Sequence, residues 1–268
     1  MKEIPPLIFA GLRYFIAFIC LFPFILTQEK IYEIKSIDKK GWVKLISLGI
    51  VFYTATQGTQ FIGLSLLPSV TVSLWLNFTP IIVAVLGILL LSEIPSFRQW
   101  LGTILFVLGI LVYFFPVDLS GNQITGLIVM TIGVFANSAS AILGRDINRD
   151  SKLHPIVVTV ISMGVGAVIL LIAGISIQGL PPICFINILY LLWLAIINTA
   201  LAFTLWNLSL RKLTAMESSI INGTMLIQIA ILAWIFLGES ITLQEGFGML
   251  LAAVGTVLVQ IKKRNAKI

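Results

Sequence analysis

Nine stretches of this chain are mostly apolar for about 20 residues each: 7–26, 43–63, 69–91, 98–115, 123–144, 156–176, 187–209, 215–237 and 241–261. About 20 residues of helix cross the hydrocarbon of a bilayer. Inside it, every backbone N–H and C=O must find a partner within the protein. The chain is therefore predicted to be all-α, a polytopic transmembrane helix bundle. Charged residues make up only 10% of the sequence, against about 25% in a soluble domain. Little remains for an extramembrane domain, and the longest polar link is 27–41.

The net charge of +6 is a matter of topology, not of nucleic-acid binding. Cytoplasmic links of membrane proteins carry an excess of Lys and Arg. Here Lys30, Lys35, Lys39, Lys40 and Lys44 fall in one link, Arg98 in the next but one, then Arg145, Arg149 and Lys152. Arg211 and Lys212 follow, and then the tail with Lys262, Lys263, Arg264 and Lys267. The links between these have none, so 15 of the 17 basic residues share one side. A multi-pass protein of the plasma membrane with a cytoplasmic C-terminus is expected. Cys20 and Cys184 lie in or beside apolar stretches at no ligand spacing, and imply neither a disulfide framework nor a metal site.

The segment 65–112 recurs without a gap at 211–258. The register pairs Glu93 with Glu239, Gly102 with Gly248, Gly109 with Gly255 and Ser73 with Ser219. Matched spans run in opposite directions under the charge alternation, 69–91 inward and 215–237 outward. This is an inverted-topology repeat, a hallmark of secondary transporters. Two units follow: 1–116 with four spans and 121–262 with five, ahead of a basic tail at 263–268. The helix at 123–144 has no partner in the first unit. A five-plus-five design is inferred, with a helix preceding residue 1; a late start codon, a truncation and a nine-helix variant are the alternatives.

The opening IPPLIFAGLRYFIA, with Arg13, resembles the entry to the second helix of the drug/metabolite transporter superfamily, EamA type. LNFTPIIVAVLGILLLSEIPSFRQWLGTILFVLGILV looks like the end of that family's first repeat, and INGTMLIQIAILAWIFLGESITLQEGFGMLLAAVGTVLV is similar to its second. One departure is visible: Leu226 stands where Pro80 has its repeat counterpart. The resemblance implies a ten-helix transporter of amino acids or other small metabolites, often an exporter.

No phosphate-binding loop, catalytic triad or metal cluster is present, so neither ATP-driven transport nor enzyme chemistry is expected, and no cofactor. Polar groups at membrane depth are costly facing lipid, which makes them candidates for a substrate path. Gln57 and Gln60 share a helical face with Tyr53. Ser73, Asn77 and Pro80 share another; the Pro80 ring denies a bond to the carbonyl of Leu76 and marks a candidate hinge. Asn137, Asn198, Trp206, Asn222 and Gln228 supply the second half, where Thr224 also lies. Each amide could equally be interhelical glue. Trp75 would line the same cavity or anchor at the interface. Arg13, about 9 Å into its span, would snorkel outward or face inward toward a carboxylate-bearing substrate.

Glu217 would pair with Arg211 and Lys212 at the surface, or act as a protonatable coupling carboxylate. Glu93 and Glu239 read as hairpin-orienting groups, with gating as the alternative. The glycines at 102, 109, 248 and 255 would let the last helix of each repeat pack closely on the core, or on a second copy of the chain in a homodimer. The expected partners are thus the lipid bilayer and a small-molecule substrate. An exporter working by alternating access is the leading reading; an uncoupled facilitator and a truncated, non-transporting protein are the rivals.

Overall fold

The computed structural model describes residues 4–67, 69–115, 123–150, 152–182, 184–237 and 242–261, with the side chains of 69, 70, 226, 229, 230, 233 and 234 left aside. Glu239 and the basic tail lie outside the described residues. Among those described there is no strand. The helices are α1 (Pro6–Leu21), α2 (Gln28–Lys35), α3 (Lys39–Leu48), α4 (Gln57–Leu66), α5 (Ser69–Leu76), α6 (Thr79–Leu86) and α7 (Phe97–Phe114). There follow α8 (Ile124–Arg149), α9 (Pro155–Gln178), α10 (Phe185–Ala195), α11 (Ala202–Ser209), α12 (Ala215–Gly223), α13 (Met225–Leu237) and α14 (Leu243–Gln260).

Among the described residues, seven segments are long and apolar enough to cross a membrane; one of them, Thr71–Leu91, is divided between α5 and α6. The expected spans 43–63 and 215–237 are helical as well. The first runs through α3 and α4 by way of a π-helical stretch, Gly49–Thr56, and the second is divided at Thr224. The chain is a polytopic helical membrane protein. The short α2 occupies the polar link, where its sequence is too brief and too charged to span.

Equivalent helices of the two repeats meet each other, and they meet antiparallel. A Cβ at Gly102 would lie 2.6 Å from the Gly255 carbonyl oxygen, and one at Gly109 would lie 2.6 Å from that of Gly248. Low numbers of α7 thus face high numbers of α14. The same crossing joins α1 to α9, where Gly11 abuts the backbone of Leu171 and Gly174 that of Ile8. The small-residue seam foreseen for the core or a second subunit is therefore used between α7 and α14 themselves. Absence of side chains at these four positions lets backbones touch, and close packing is what associates helices where there is no hydrophobic drive between them.

Local signals repeat along with the packing. Ser96 and Gln99 form a capping box on α7, and their equivalents Thr242 and Glu245 form one on α14. Each satisfies two amides that the first helical turn leaves free. A second π-helical stretch, Ile196–Leu201, sits between α10 and α11, at the position in the second repeat that Gly49–Thr56 occupies in the first. In both, a threonine hydroxyl donates to the carbonyl five residues back, Thr56 to Val51 and Thr199 to Leu194. The core between α1, α9 and these stretches holds Tyr14, Tyr53 and Phe203, with ring centroids 5.3–5.7 Å apart. Tyr53 is fully buried there, so its side chain is structural and does not share the half-buried setting of Gln57 and Gln60.

Candidate functional site

The two interrupted spans break at equivalent positions. In the first, α5 ends at Leu76 and α6 begins at Thr79; in the second, α12 ends at Gly223 and α13 begins at Met225. The hydrogen bonds at the breaks correspond residue by residue. The Ile81 amide donates to the Phe78 carbonyl and the Ile227 amide to that of Thr224, at 3.2 and 3.0 Å. Although only the first repeat carries a proline there, both spans are interrupted. Pro80 lies in the first turn of α6, where its missing N–H is tolerated, and the second break forms with no proline.

The breaks face one another. A Cβ added at Gly223 would lie 2.9 Å from the Asn77 Oδ1 and 2.5 Å from the Phe106 ring. Asn77 donates its Nδ2 to the Ser73 carbonyl at 2.7 Å, while its Oδ1 is buried without a hydrogen-bond partner among the described residues. That carbonyl partner fixes which amide atom is nitrogen, so the unsatisfied atom is an acceptor. Asn137 of α8 approaches the same break and donates to the Thr79 hydroxyl at 3.2 Å. Trp75 also binds α8, through its indole N–H to Thr131 at 3.2 Å. Its polar edge is engaged between helices, so it is not a free anchor at the membrane surface.

Arg13 and Asn198 form a second, separate cluster. The Arg13 Nε donates to Thr199 Oγ1 at 2.6 Å and its Nη2 to the Asn198 carbonyl at 3.1 Å. The guanidinium is thereby held against the π-helical stretch and does not snorkel outward. It has no carboxylate partner among the described residues. The Asn198 side chain itself is exposed, as are those of Asn222 and Gln228. Gln57, Gln60 and Trp206 are half-buried, and their side chains make no hydrogen bond among the described residues. The structure thus brings Trp75, Asn77 and Asn137 to the crossing of the breaks, beside Gly223, and pairs Arg13 with Asn198 elsewhere.

Residues outside the predicted substrate path hold the end of the bundle that carries the arginines, through pairings that sequence reasoning did not foresee. Arg145 of α8 donates its Nε to Glu93 at 2.7 Å and its Nη1 to the Leu210 carbonyl, also at 2.7 Å. The other Glu93 oxygen accepts from the Ala215 amide, the first of α12, at 3.0 Å. Glu217 is buried, not a surface ion pair: only 1% of it is exposed and neither Arg211 nor Lys212 reaches it. It caps its own helix through the Thr214 amide at 2.9 Å and accepts from Gln99 at 3.4 Å. Deeper in, Asn148 donates to Asn207, which donates to Thr159, a chain of 2.8 and 3.0 Å bonds joining α8, α11 and α9. The missed signal was distance in sequence: Glu93 and Ala215 are 122 positions apart.

The architecture has known counterparts. A solved crystal structure of a protein superimposes with a TM-score of 0.78 at 14% identity, over 96% of this chain and 88% of that one, which shows the fold alone. The chain is 25% identical to the uncharacterized transporter YoaV of Bacillus subtilis (strain 168), over 95% of its own length and 87% of the relative's. It is 28% identical to the uncharacterized transporter YvbV of the same organism, over 98% and 85%. A model of the EamA-like transporter family matches twice, at residues 1–115 and 124–261, one match to each of the units that meet antiparallel. With the fold, the doubled match and these relatives in agreement, the chain belongs to the EamA-like transporter family.

Proposed function

We propose that this membrane transporter is a secondary carrier that moves a small organic metabolite, amino-acid-like or drug-like, out of the cell by alternating access. The observation that supports this most directly is the pair of matched helix breaks that face each other at Asn77 and Gly223. Broken helices at the interface of inverted repeats free backbone groups for a solute and divide each span into halves that can tilt separately. Asn77, Asn137 and Trp75 stand at that crossing; Asn222 and Gln228 lie on the second broken span, and Gln57 and Gln60 on the span 43–63. Arg13 and Asn198, with Trp206 one helix further, form a second polar station. The basic end is cytoplasmic by the charge rule, and Glu93 with its partners ties the two repeats together there.

A transport assay tests the reading. Inside-out vesicles carrying the chain are offered a panel of labelled amino acids and small amphiphilic drugs, with and without an imposed proton gradient. At least one solute should accumulate faster than in vesicles from cells lacking the chain, and Asn77→Leu should remove the difference. No solute-dependent flux across the panel, or flux indifferent to substitutions at 77, 137 and 223, defeats it. Flux that ignores the gradient assigns an uncoupled facilitator instead.

A further inference from the structure

We propose that Glu93, aimed by Arg145, is a releasable clasp on the N-terminus of α12 that closes the basic end of the carrier. The proposal rests on the alternating-access reading. Glu93 follows the first broken span and belongs to the first repeat; Arg145 and Ala215 belong to the second. Arg145 occupies one carboxylate oxygen at 2.7 Å and leaves the other to accept the Ala215 N–H at 3.0 Å. A helix N-terminus carries partial positive charge and unpaired amides, so a carboxylate is its natural stopper. One residue group away, Gln99 of the first repeat donates to Glu217 of α12 at 3.4 Å, a second and longer tie across the same joint.

Three features make this joint a closure that can open. It connects the one repeat to the start of α12, the helix that ends at the break facing Asn77. Its bonds are few and polar, and water can replace each of them when the ends part. It is also imperfectly filled: a cavity of about 110 Å³ lies beside it, lined by Ala84, Gly87, Glu93, Gln99, Thr214 and Met216 among others. At their glycines the seams of α7 on α14 and α1 on α9 touch backbone to backbone. Arg145 is a positioning residue in this scheme. It also anchors the end of α11 through the Leu210 carbonyl, so it stays in place when Glu93 lets go of α12.

The test needs no substrate. Ala84, 1% exposed and on the cavity wall, is replaced by Cys in a chain with Cys20→Ser and Cys184→Ser. Labelling by a membrane-impermeant charged maleimide from the basic side is then timed in vesicles. Glu93→Ala should speed labelling on the order of ten-fold, since one charge-assisted bond biases a two-state equilibrium by about that much. Ala215→Pro removes the N–H that Glu93 accepts and adds two ring carbons at a buried position, so its folded fraction is checked by gel filtration beside the labelling. Proline is tolerated at the first position of a helix, and Thr214 already has the extended backbone that precedes proline. It should act in the same direction.

The exchange Glu93→Arg with Arg145→Glu separates a clasp from a plain ion pair. It restores the pair but leaves no acceptor at position 93, so labelling should remain fast; Arg145→Gln, which loses the charge but can still donate to the Leu210 carbonyl, reports the share of that second bond. Equal rates in the parent, Glu93→Ala and Ala215→Pro overturn the proposal, as does an exchange variant that labels at the parent's rate. Solute flux in the vesicle assay together with unchanged labelling removes the clasp alone. Faster labelling in a protein that moves no solute removes the carrier reading and leaves a joint that opens.

Discussion

The repeats touch in two very different ways. Along α7 and α14 they meet backbone to backbone, with Gly102 and Gly109 against the carbonyls of Gly255 and Gly248. At the crossing of the breaks, Gly223 meets side chains instead, the Phe106 ring and the Asn77 amide. Backbone in a helix cannot yield without losing its ladder, whereas a side chain can turn aside. The first contact is backbone on backbone; the second sets one backbone against two side-chain tips, the Asn77 amide and the edge of the buried Phe106 ring. The same polarity recurs in the hydrogen bonding: the crossing leaves the Asn77 Oδ1 unsatisfied. An orphaned buried acceptor costs about 1–3 kcal/mol, a cost relieved when a solute or water enters.

Four substitutions test that contrast, in falling order of effect on stability. Gly109→Val should be the most damaging, about 3 kcal/mol, because its Cβ would lie 2.5 Å from the Ala252 nitrogen and 2.6 Å from the Gly248 oxygen. The midpoint of heat-induced aggregation in detergent reads it; a shift no larger than that of Gly223→Val would erase the distinction between seam and crossing. Gly223→Val should cost about 1–2 kcal/mol, since Phe106 and Asn77 can move, yet it should abolish flux by blocking the crossing. A stable, fully active Gly223→Val protein would show that the breaks do not need to approach.

Asn77→Leu removes both the bond to Ser73 and the orphaned acceptor, so the two terms nearly cancel. Stability should change by less than about 1 kcal/mol, while flux in the vesicle assay falls on the order of ten-fold. Loss of fold in place of loss of flux would make Asn77 a scaffold residue. Pro80→Leu, which copies Leu226 of the other repeat, should matter least. It returns some freedom to the unfolded chain and costs at most about 1 kcal/mol. The break and the flux should both persist, as cysteine pairs placed across 76 and 80 and the transport assay would report. A straightened span would restore the proline to the role of hinge.

Pro80 shows how a local argument is completed by the second repeat. The ring does deny a hydrogen bond, and a break does lie beside it. The second repeat breaks in the same place with leucine there, so a break at this position does not require the proline. Arg13 makes the complementary point. Its depth was readable, but its partner, Thr199, lies 186 positions away on a π-helical turn that no periodicity announces. Glu93 was legible as a repeated residue at a helix end, and its partners, Arg145 and the Ala215 amide, were not.

Apolar length, charge alternation and the gapless repeat determined that this chain spans a membrane many times as two inverted units. Those features are local or statistical, carried by the cost of burying charge and by one residue's kinship to another at fixed spacing. Which polar groups meet was decided only by the tertiary structure. A helix hides one side of every side chain from the others until packing sets its rotation. The antiparallel pairing of α7 with α14, the Asn77–Gly223 crossing and the Glu93 clasp all depend on rotations and offsets that arise when whole helices settle against one another.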